Sequence, residues 1–221
     1  MPIQRVERFD YEAERAYYAQ APSQLRGYMW LEAYYQALSA DYSFFFYNRR
    51  VLDMGAGECL HGIFVCSQCH PTAYVNLDLF ADRMQLAASK NRFSAMSFVS
   101  GDCFRLPFAK ASFDTVWASG VLVRLRPLDE VAPEIKRVLS PGGIFLGIEP
   151  NFQSVFVMLK RARTGNKNDW KIQPRDIYEA FSGVGMAVEF KFFWRRIPWL
   201  KHPLLSPTLG IIARRSPIVN E

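Results

Sequence analysis

Short apolar runs alternate with segments of helical periodicity through the middle of the chain. The runs are nearly continuous in hydrophobicity, as parallel strands covered on both faces should be. The pattern predicts strands at 49–54, 73–79, 97–102, 114–119 and 143–149, and two more at 186–194 and 208–214. Helices are predicted between them, for example at 81–91 and 128–139. This alternation predicts an α/β fold with a doubly wound, mostly parallel, Rossmann-like sheet of seven strands.

The two ends of the chain differ from this regular core. Residues 1–48 are rich in aromatic side chains and helical in period, so we predict an N-terminal helical cap. The alternating strands and helices occupy 49–150, and an insertion followed by the last strands occupies 151–221. Because no low-complexity linker separates these parts, we expect the 221 residues to form a single domain.

Charge is unevenly placed along the chain, whose formal net charge is +6. Residues 1–154 carry 15 Lys and Arg against 16 Asp and Glu, whereas residues 155–221 carry 12 against 5. The basic last third is either a solvated face or a site for an anionic substrate, anionic lipid head groups or RNA. The N-terminus lacks the apolar stretch of a signal peptide, and the longest charge-free run is a poor membrane span. A cytoplasmic protein is therefore expected.

The segment Cys66–His70 has the CxxCH spacing of c-type haem attachment. Covalent haem attachment requires export, and no export signal is visible. A zinc site would need two more ligands at a workable spacing. We therefore expect four reduced thiols and no metal.

A glycine-rich turn follows the first strand in the sequence VLDMGAGECLHG. Gly55 and Gly57 allow close approach of a ligand and a sharp turn into a helix, but a dinucleotide-binding loop would also need glycine at Leu60. Asp53 and Glu58 would repel a pyrophosphate at this helix N-terminus. A cationic nucleoside without phosphate suits these carboxylates better, and S-adenosylmethionine is such a ligand.

Two further carboxylates follow the next strands. Asp78 ends the second strand, 21 residues after Gly57, where a carboxylate can accept both hydroxyl hydrogens of a ribose. Asp102 follows the third strand, where it can accept from an exocyclic amine such as that of adenine. Ligands of open α/β sheets bind beyond the carboxyl ends of the strands, so we expect both residues at one site.

Four segments carry ordered motifs: VLDMGAGE, VNLDLF, VSGDCFRLPFAKASFDTVWASGVL and IKRVLSPGGIFLGIEPN. Together, over residues 49–151, they resemble the class I S-adenosylmethionine-dependent methyltransferases, most closely the small-molecule (UbiE-like, type 11) group. The resemblance implies an enzyme that methylates oxygen, nitrogen or carbon of a small, apolar or glycosylated metabolite. The chain departs from this family in three places. They are Cys59, at the place of a commonly found third glycine, the sequence LVRL, where many relatives carry histidines, and the C-terminal third, which matches no substrate-specific pattern. We expect the first to be minor.

The resemblance also implies which residues surround the cofactor. Asp53 and the glycines would line the methionine part, Asp78 would hold the ribose, and Asp102 would read the adenine ring. The full set of implied cofactor-binding residues is Asp53, Gly55, Ala56, Gly57, Asp78, Leu79, Gly101, Asp102, Cys103 and Ser119.

Catalytic and substrate-binding candidates are fewer. Methyl transfer needs a general base only when the acceptor is a poorly acidic hydroxyl or a protonated amine. Glu149, at the end of the fifth strand, is the first candidate base, and His202 is the second; the alternative for Glu149 is fixing a loop. The substrate candidates are Tyr17, Tyr18, Tyr28, Arg124 and Asn151.

The acceptor is least defined by the sequence. Segments 155–165 and 190–205 set aromatic and aliphatic residues beside Lys and Arg, which fits a lid over an apolar or anionic small molecule or a peripheral membrane contact. We favour the lid. The fourth strand lacks the Asn/Asp-Pro-Pro-Tyr pattern of amino-group DNA methyltransferases, which argues against DNA. The alternatives are a cofactor-binding protein without methyl transfer and a tRNA-modifying enzyme.

Overall fold

The centre of the computed structural model, which describes residues 12, 31–164, 171–194, 197 and 199–217, is a seven-stranded sheet of order β3-β2-β1-β4-β5-β7-β6. Strands β1 to β5 are parallel, and β7 runs antiparallel to β5 and β6. The strands are β1 (Arg50–Met54), β2 (Ala73–Asp78), β3 (Met96–Ser100), β4 (Phe113–Ser119), β5 (Leu139–Pro150), β6 (Met186–Phe193) and β7 (Thr208–Arg215). The predicted fold class is confirmed.

Six helices of the described ranges connect or cover these strands. They are α1 (Leu31–Leu38), α2 (Leu60–Gln68), α3 (Ala81–Ser89), α4 (Leu128–Val138), α5 (Val155–Thr164) and α6 (Pro174–Gly183). Helix α1 and a 3₁₀ turn at Tyr42–Phe45 belong to the predicted cap. Helix α5 lies in the long insertion, where no helix was predicted.

The central strands are covered on both faces because successive side chains point to opposite sides. On one face, α4 buries every apolar residue of its helical stripe, and α6 packs beside it. On the other face lie α1 and α2, whose buried residues cluster with Val51, Tyr74 and Trp117. Because helices cover both faces of the sheet, we expect a ligand-binding site in the loops at the carboxyl ends of the strands.

The entry to β1 and β4 is fixed by an ion pair. The Asp114 carboxylate accepts hydrogen bonds from the Arg50 backbone N–H (3.0 Å) and guanidinium (2.8 Å), and from the Ser140 hydroxyl (3.1 Å). Burial alone would raise the pKa of Asp114, but the bonds from Arg50 lower it below its ordinary value. Because this cluster lies at the amino ends of the strands, it stabilises the sheet and lies away from the glycine turn.

All four cysteines are buried. Burial raises the pKa of the Cys66 thiol to about 12 and of the Cys69 thiol to about 11. The CxxC pair is therefore in the thiol form at neutral pH, which makes both sulfurs weak nucleophiles.

Within the described ranges, no helix combines the length and the apolar composition that crossing a bilayer requires. The cytoplasmic location and the single-domain organisation over 1–221 stay predictions.

Candidate active site

The turn after β1 is built from residues with left-handed backbone. Gly55 has φ +73°, Gly57 has φ +54° and Cys59 has φ +59°. A Cβ on Gly55 would lie 2.6 Å from a methyl group of Val121, so the loop after β4 packs directly on the turn. Cys59, which precedes α2, pays the strain that a side chain incurs in this conformation and that a third glycine would avoid.

Asp78 anchors this turn. One carboxylate oxygen accepts a hydrogen bond from the Gly57 N–H (2.8 Å), and the other accepts from the Phe80 N–H (3.0 Å). The side chain is buried at the end of β2. Each carboxylate oxygen has a second lone pair. The carboxylate predicted to bind a ribose can therefore hold the turn and accept ribose hydroxyls at the same time.

Asp53 is a buried carboxylate whose environment favours a cation. Its side chain is 2 % exposed, and Oδ2 accepts a hydrogen bond from the Tyr74 hydroxyl (3.0 Å). Burial raises the pKa of Asp53 to about 7, the Tyr74 bond partly opposes this, and the nearby Asp78 carboxylate adds to it. A positive charge at this edge of the sheet would relieve both the burial cost and the repulsion, which fits a sulfonium and amino-bearing cofactor.

The loop after β3 closes the same edge. The Gly101 N–H donates to the backbone oxygen of Asp78 (3.0 Å), which brings the two strand ends together. Asp102 is half-buried, and its Oδ1 accepts from the Phe104 N–H (2.9 Å). Cys103 beside it is buried. The ten residues predicted to bind the cofactor all lie at the carboxyl ends of β1 to β4: Asp53, Gly55, Ala56, Gly57, Asp78, Leu79, Gly101, Asp102, Cys103 and Ser119.

A cavity of about 660 Å³ opens beside this edge, at the ends of β4 and β5. Ser119 lines it from the cofactor side. Its apolar walls include Phe156 and Trp194, whose ring centroids are 4.6 Å apart. Two cationic side chains of α5 also line it, and the Arg161 guanidinium lies 4.9 Å from the centre of the Phe152 ring. The cavity therefore combines an apolar body with a cationic wall.

Glu149 lies between the cavity and the glycine turn. It lines the cavity, is 1 % exposed, and its Oε1 accepts hydrogen bonds from the N–H groups of Val121 (3.0 Å) and Leu122 (2.8 Å). Val121 is the residue that packs on Gly55. These contacts match the alternative role of fixing a loop, although the loop follows β4 rather than β5. A catalytic role for Glu149 stays a prediction.

Comparison with known families identifies the part of the chain that holds this edge. A family model described as a methyltransferase domain matches residues 52–147. This stretch of the chain is therefore similar to methyltransferase domains, and the mostly parallel seven-stranded sheet agrees with the fold of the class I methyltransferases. The cofactor of that class is S-adenosylmethionine, and the carboxylates and glycine turn described above fit it.

Curated relatives match about 100 residues of this chain. A sterol 24-C-methyltransferase of Clavispora lusitaniae is 37 % identical over 101 residues, which are 44 % of this chain and 27 % of the relative. A fatty-acid O-methyltransferase of Mycolicibacterium smegmatis is 32 % identical over 99 residues, 45 % of this chain and 36 % of the relative. The match thus spans about a third of the length of these relatives.

Solved structures extend the likeness beyond the methyltransferase domain. A SAM-dependent methyltransferase from Archaeoglobus fulgidus superposes with a TM-score of 0.68 and 18 % identity, covering 93 % of this chain and 100 % of the other. At this identity the likeness shows the fold.

His202 lies outside the cavity lining of the methyltransferase domain. It is exposed in the loop before β7, where its Nδ1 accepts a hydrogen bond from the Leu204 N–H (3.2 Å). Among the described residues, Ser119 and Glu149 line the cavity and His202 does not. Its role as a base stays a prediction. Tyr17, Tyr18 and Tyr28 lie outside the described residues.

The other two substrate candidates have different positions. Asn151 is fully buried, and its Nδ2 donates to the backbone oxygens of Pro203 (2.6 Å) and Ser206 (2.7 Å). It holds the loop before β7 against the end of β5. Arg124 is half-buried in the loop after β4. Among the described residues, neither lines the cavity.

Sequence reasoning missed two tyrosines of α1. Tyr34 lines the cavity. The hydroxyl of the buried Tyr35 lies 2.7 Å from Nδ1 of His61, a residue of α2. Burial lowers the pKa of His61 to about 3, so this histidine is neutral and structural. The aromatic cap signalled a role for tyrosines, but helical period alone does not say which of them face the sheet.

Proposed function

We propose that this protein transfers a methyl group from S-adenosylmethionine to oxygen, nitrogen or carbon of a small apolar acceptor. The observation that carries the proposal is the cavity at the ends of β4 and β5, which shares Ser119 with the cofactor edge. Its volume of about 660 Å³ lies in the range of small-molecule sites. The names of the curated relatives, a sterol and a fatty-acid methyltransferase, support an apolar acceptor.

The residues of this chain would act mainly by positioning. S-adenosylmethionine supplies an electrophilic methyl group on a sulfonium when it is bound. Asp78 and Asp102 would hold its ribose and adenine, and the Asp53 carboxylate would complement its positive charge. Phe156 and Trp194 would orient the acceptor and exclude water. Correct orientation of two reactants lowers the activation barrier by on the order of 7–11 kcal/mol.

The cavity wall made by α5 supports the lid hypothesis over a purely open site. Phe156 and Lys160, one helical turn apart, both line the cavity, as do Val157 and Arg161. An apolar acceptor with one anionic or polar end would place that end against the cations. Contact with a bilayer through 155–165 and 190–205 belongs to the same proposal, because α5 also exposes apolar side chains.

The test is turnover with a panel of acceptors. We would incubate the full chain with S-adenosylmethionine and a sterol, a long-chain fatty acid, a phenol or a glycolipid, and quantify S-adenosylhomocysteine and methylated product by mass spectrometry. We expect turnover with the fatty acid or the sterol. Phe156→Ala should raise KM for the acceptor, whereas Asp78→Ala should weaken S-adenosylhomocysteine binding by about tenfold or more.

Two results would contradict the proposal. Tight S-adenosylhomocysteine binding without product from any acceptor would favour the cofactor-binding alternative. Unchanged cofactor affinity in Asp78→Ala would remove the assigned cofactor edge.

A further inference from the structure

An apolar patch lies on the outer side of α5 and on the loop that follows β6. Its six members are large, exposed apolar side chains: Val155, Met158, Leu159, Trp199, Leu204 and Leu205. The three members in α5 are spaced i, i+3 and i+4 and so share one face of the helix. Trp199 is 80 % exposed. The patch draws its members from two segments, 155–159 and 199–205, and none of them is part of the core.

Hydrogen bonds hold the two halves of the patch together. The Val155 N–H at the start of α5 donates to the backbone oxygen of Leu204 (3.0 Å), and the Ser154 hydroxyl donates to that of Leu205 (3.2 Å). Two hydrogen bonds from the side-chain amide of Asn151 also hold this loop. The patch is therefore a preformed surface, and the loop does not need to rearrange to present it.

The charge around the patch has a single sign. Residues 150–164 contain three Lys and Arg, residues 197–207 contain one, and neither segment contains Asp or Glu. Lys160, Arg163 and Lys201 are exposed beside the apolar side chains. Exposed aliphatic and Trp side chains among basic residues match the interface of an anionic bilayer, where the apolar groups enter the acyl boundary and the cations contact head groups.

The patch and the cavity share a helix. Phe156, Lys160 and Arg161 line the cavity from α5, while Met158 and Leu159 face outward from the same turns. A surface that contacts α5 on its exposed face is thus one helix diameter from the cavity.

We propose that this patch docks the protein on an anionic lipid bilayer and that the acceptor enters the cavity from the bilayer. The docking step follows from the patch itself, whereas the acceptor's route rests on the proposed function. An apolar acceptor is scarce in water and concentrated in lipid, so docking would place the cavity mouth where the acceptor is.

The experiment is cosedimentation of the full chain with vesicles of phosphatidylcholine alone or mixed with phosphatidylglycerol, at low and high salt. We expect binding to the mixed vesicles that weakens as salt is raised, and little binding to phosphatidylcholine alone. The double variant Met158→Glu with Leu159→Glu should weaken binding by about tenfold or more. Arg163→Gln and Lys201→Gln should each weaken it by about fivefold.

Leu86→Glu is the matched control. Leu86 is 55 % exposed on α3, which packs by β2 and β3 at the other edge of the sheet, so this variant should bind vesicles as the parent does. All variants should bind S-adenosylhomocysteine and unfold as the parent does. Vesicle binding needs neither cofactor nor acceptor, so its failure is distinguishable from failure of methyl transfer.

Four results would overturn the proposal. They are absence of binding to mixed vesicles, equal weakening by Leu86→Glu, tighter binding to a tRNA pool than to vesicles, and a self-association at working concentration that Met158→Glu abolishes. The tRNA result would favour the RNA hypothesis, and the last would assign the patch to a second copy of the chain.

Discussion

The strand ends proposed to bind the cofactor (the cofactor edge) and the cavity proposed to bind the acceptor lie side by side but are built differently. The cofactor edge uses backbone and carboxylates: a left-handed turn at Gly55 and Gly57, and Asp78 accepting two backbone N–H groups. The cavity uses aromatic side chains from distant segments, such as Tyr34, Phe156 and Trp194. Backbone geometry tolerates few residue types, whereas an apolar wall tolerates many of similar size.

This difference explains where the likeness to relatives ends. The matching family model stops at residue 147, two residues before Glu149 and before all of α5. Under the proposed function, a cofactor common to many proteins fixes the first region, and an acceptor that differs between them leaves the second free to vary. Substitutions should therefore act on the two regions in opposite ways: sharply and on stability in the first, mildly and on acceptor choice in the second.

The largest effect is expected at the glycine turn. Gly55→Ala places a Cβ 2.6 Å from Val121 at φ +73°, so both overpacking and left-handed strain act. We expect a loss of about 2–5 kcal/mol in the free energy of unfolding, measured by denaturant titration. Gly183→Ala, where a Cβ meets nothing within 4 Å, should change stability little.

A second substitution separates the two causes at Gly55. Adding Val121→Ala to Gly55→Ala should recover the overpacking part and leave the backbone strain. If the double variant is no more stable than Gly55→Ala, direct packing of the two loops is not the cause.

A smaller effect, of opposite sign, is expected at Asp53. Its pKa in the folded protein, about 7, lies above the ordinary value of 3.8, so burial of this carboxyl is tolerated at low pH and becomes costly as pH rises towards and through 7. Asp53→Asn should therefore stabilise the cofactor-free protein at pH 8 by about 2–4 kcal/mol, but hardly at pH 4. Cofactor affinity should fall, because the counter-charge is lost.

Thermal and denaturant unfolding at the two pH values measure this effect. Asp114→Asn is the control of opposite sign: the pKa of Asp114 is lowered, so removing its charge should destabilise the protein at neutral pH. A stabilisation by Asp53→Asn that is equal at pH 4 and pH 8 would mean that burial of the charge is not its cause.

The sequence predicted the positions of the strand-end carboxylates because their signals are local. Asp78 and Asp102 follow apolar runs that form β2 and β3, and strand ends of a parallel sheet meet at one edge. Asp114 differs from them because it lies at the start of β4, where it pairs with Arg50 away from this edge. Cys59 stands where relatives commonly carry glycine, a residue that tolerates left-handed backbone. That Cys59 itself adopts this backbone conformation is visible only in the structure.

The cavity could not be predicted in the same way. Tyr34 and Trp194 are 160 residues apart, and only the packing of α1 against the β6 end brings them to one cavity. The amphipathic character of 155–165 predicted a lid or a membrane contact, and in α5 two faces of one helix carry the features of both. Asn151 was predicted to bind substrate, but it is fully buried and bonded to Pro203 and Ser206, contacts that are not visible in sequence.

The smallest effect is expected at Glu149, which joins the two regions. Glu149→Gln keeps an oxygen that can accept from the N–H groups of Val121 and Leu122, so a positioning residue should keep kcat within an order of magnitude. Glu149→Ala removes the shared acceptor of these N–H groups and should weaken S-adenosylhomocysteine binding as Val121 loosens on Gly55. A general base instead predicts that Glu149→Gln lowers kcat by about 10²–10⁴ at unchanged stability and removes one limb of the pH profile. Glu149 is a positioning residue if Glu149→Gln keeps the activity that Glu149→Ala loses. It is a general base if Glu149→Gln loses that activity as well.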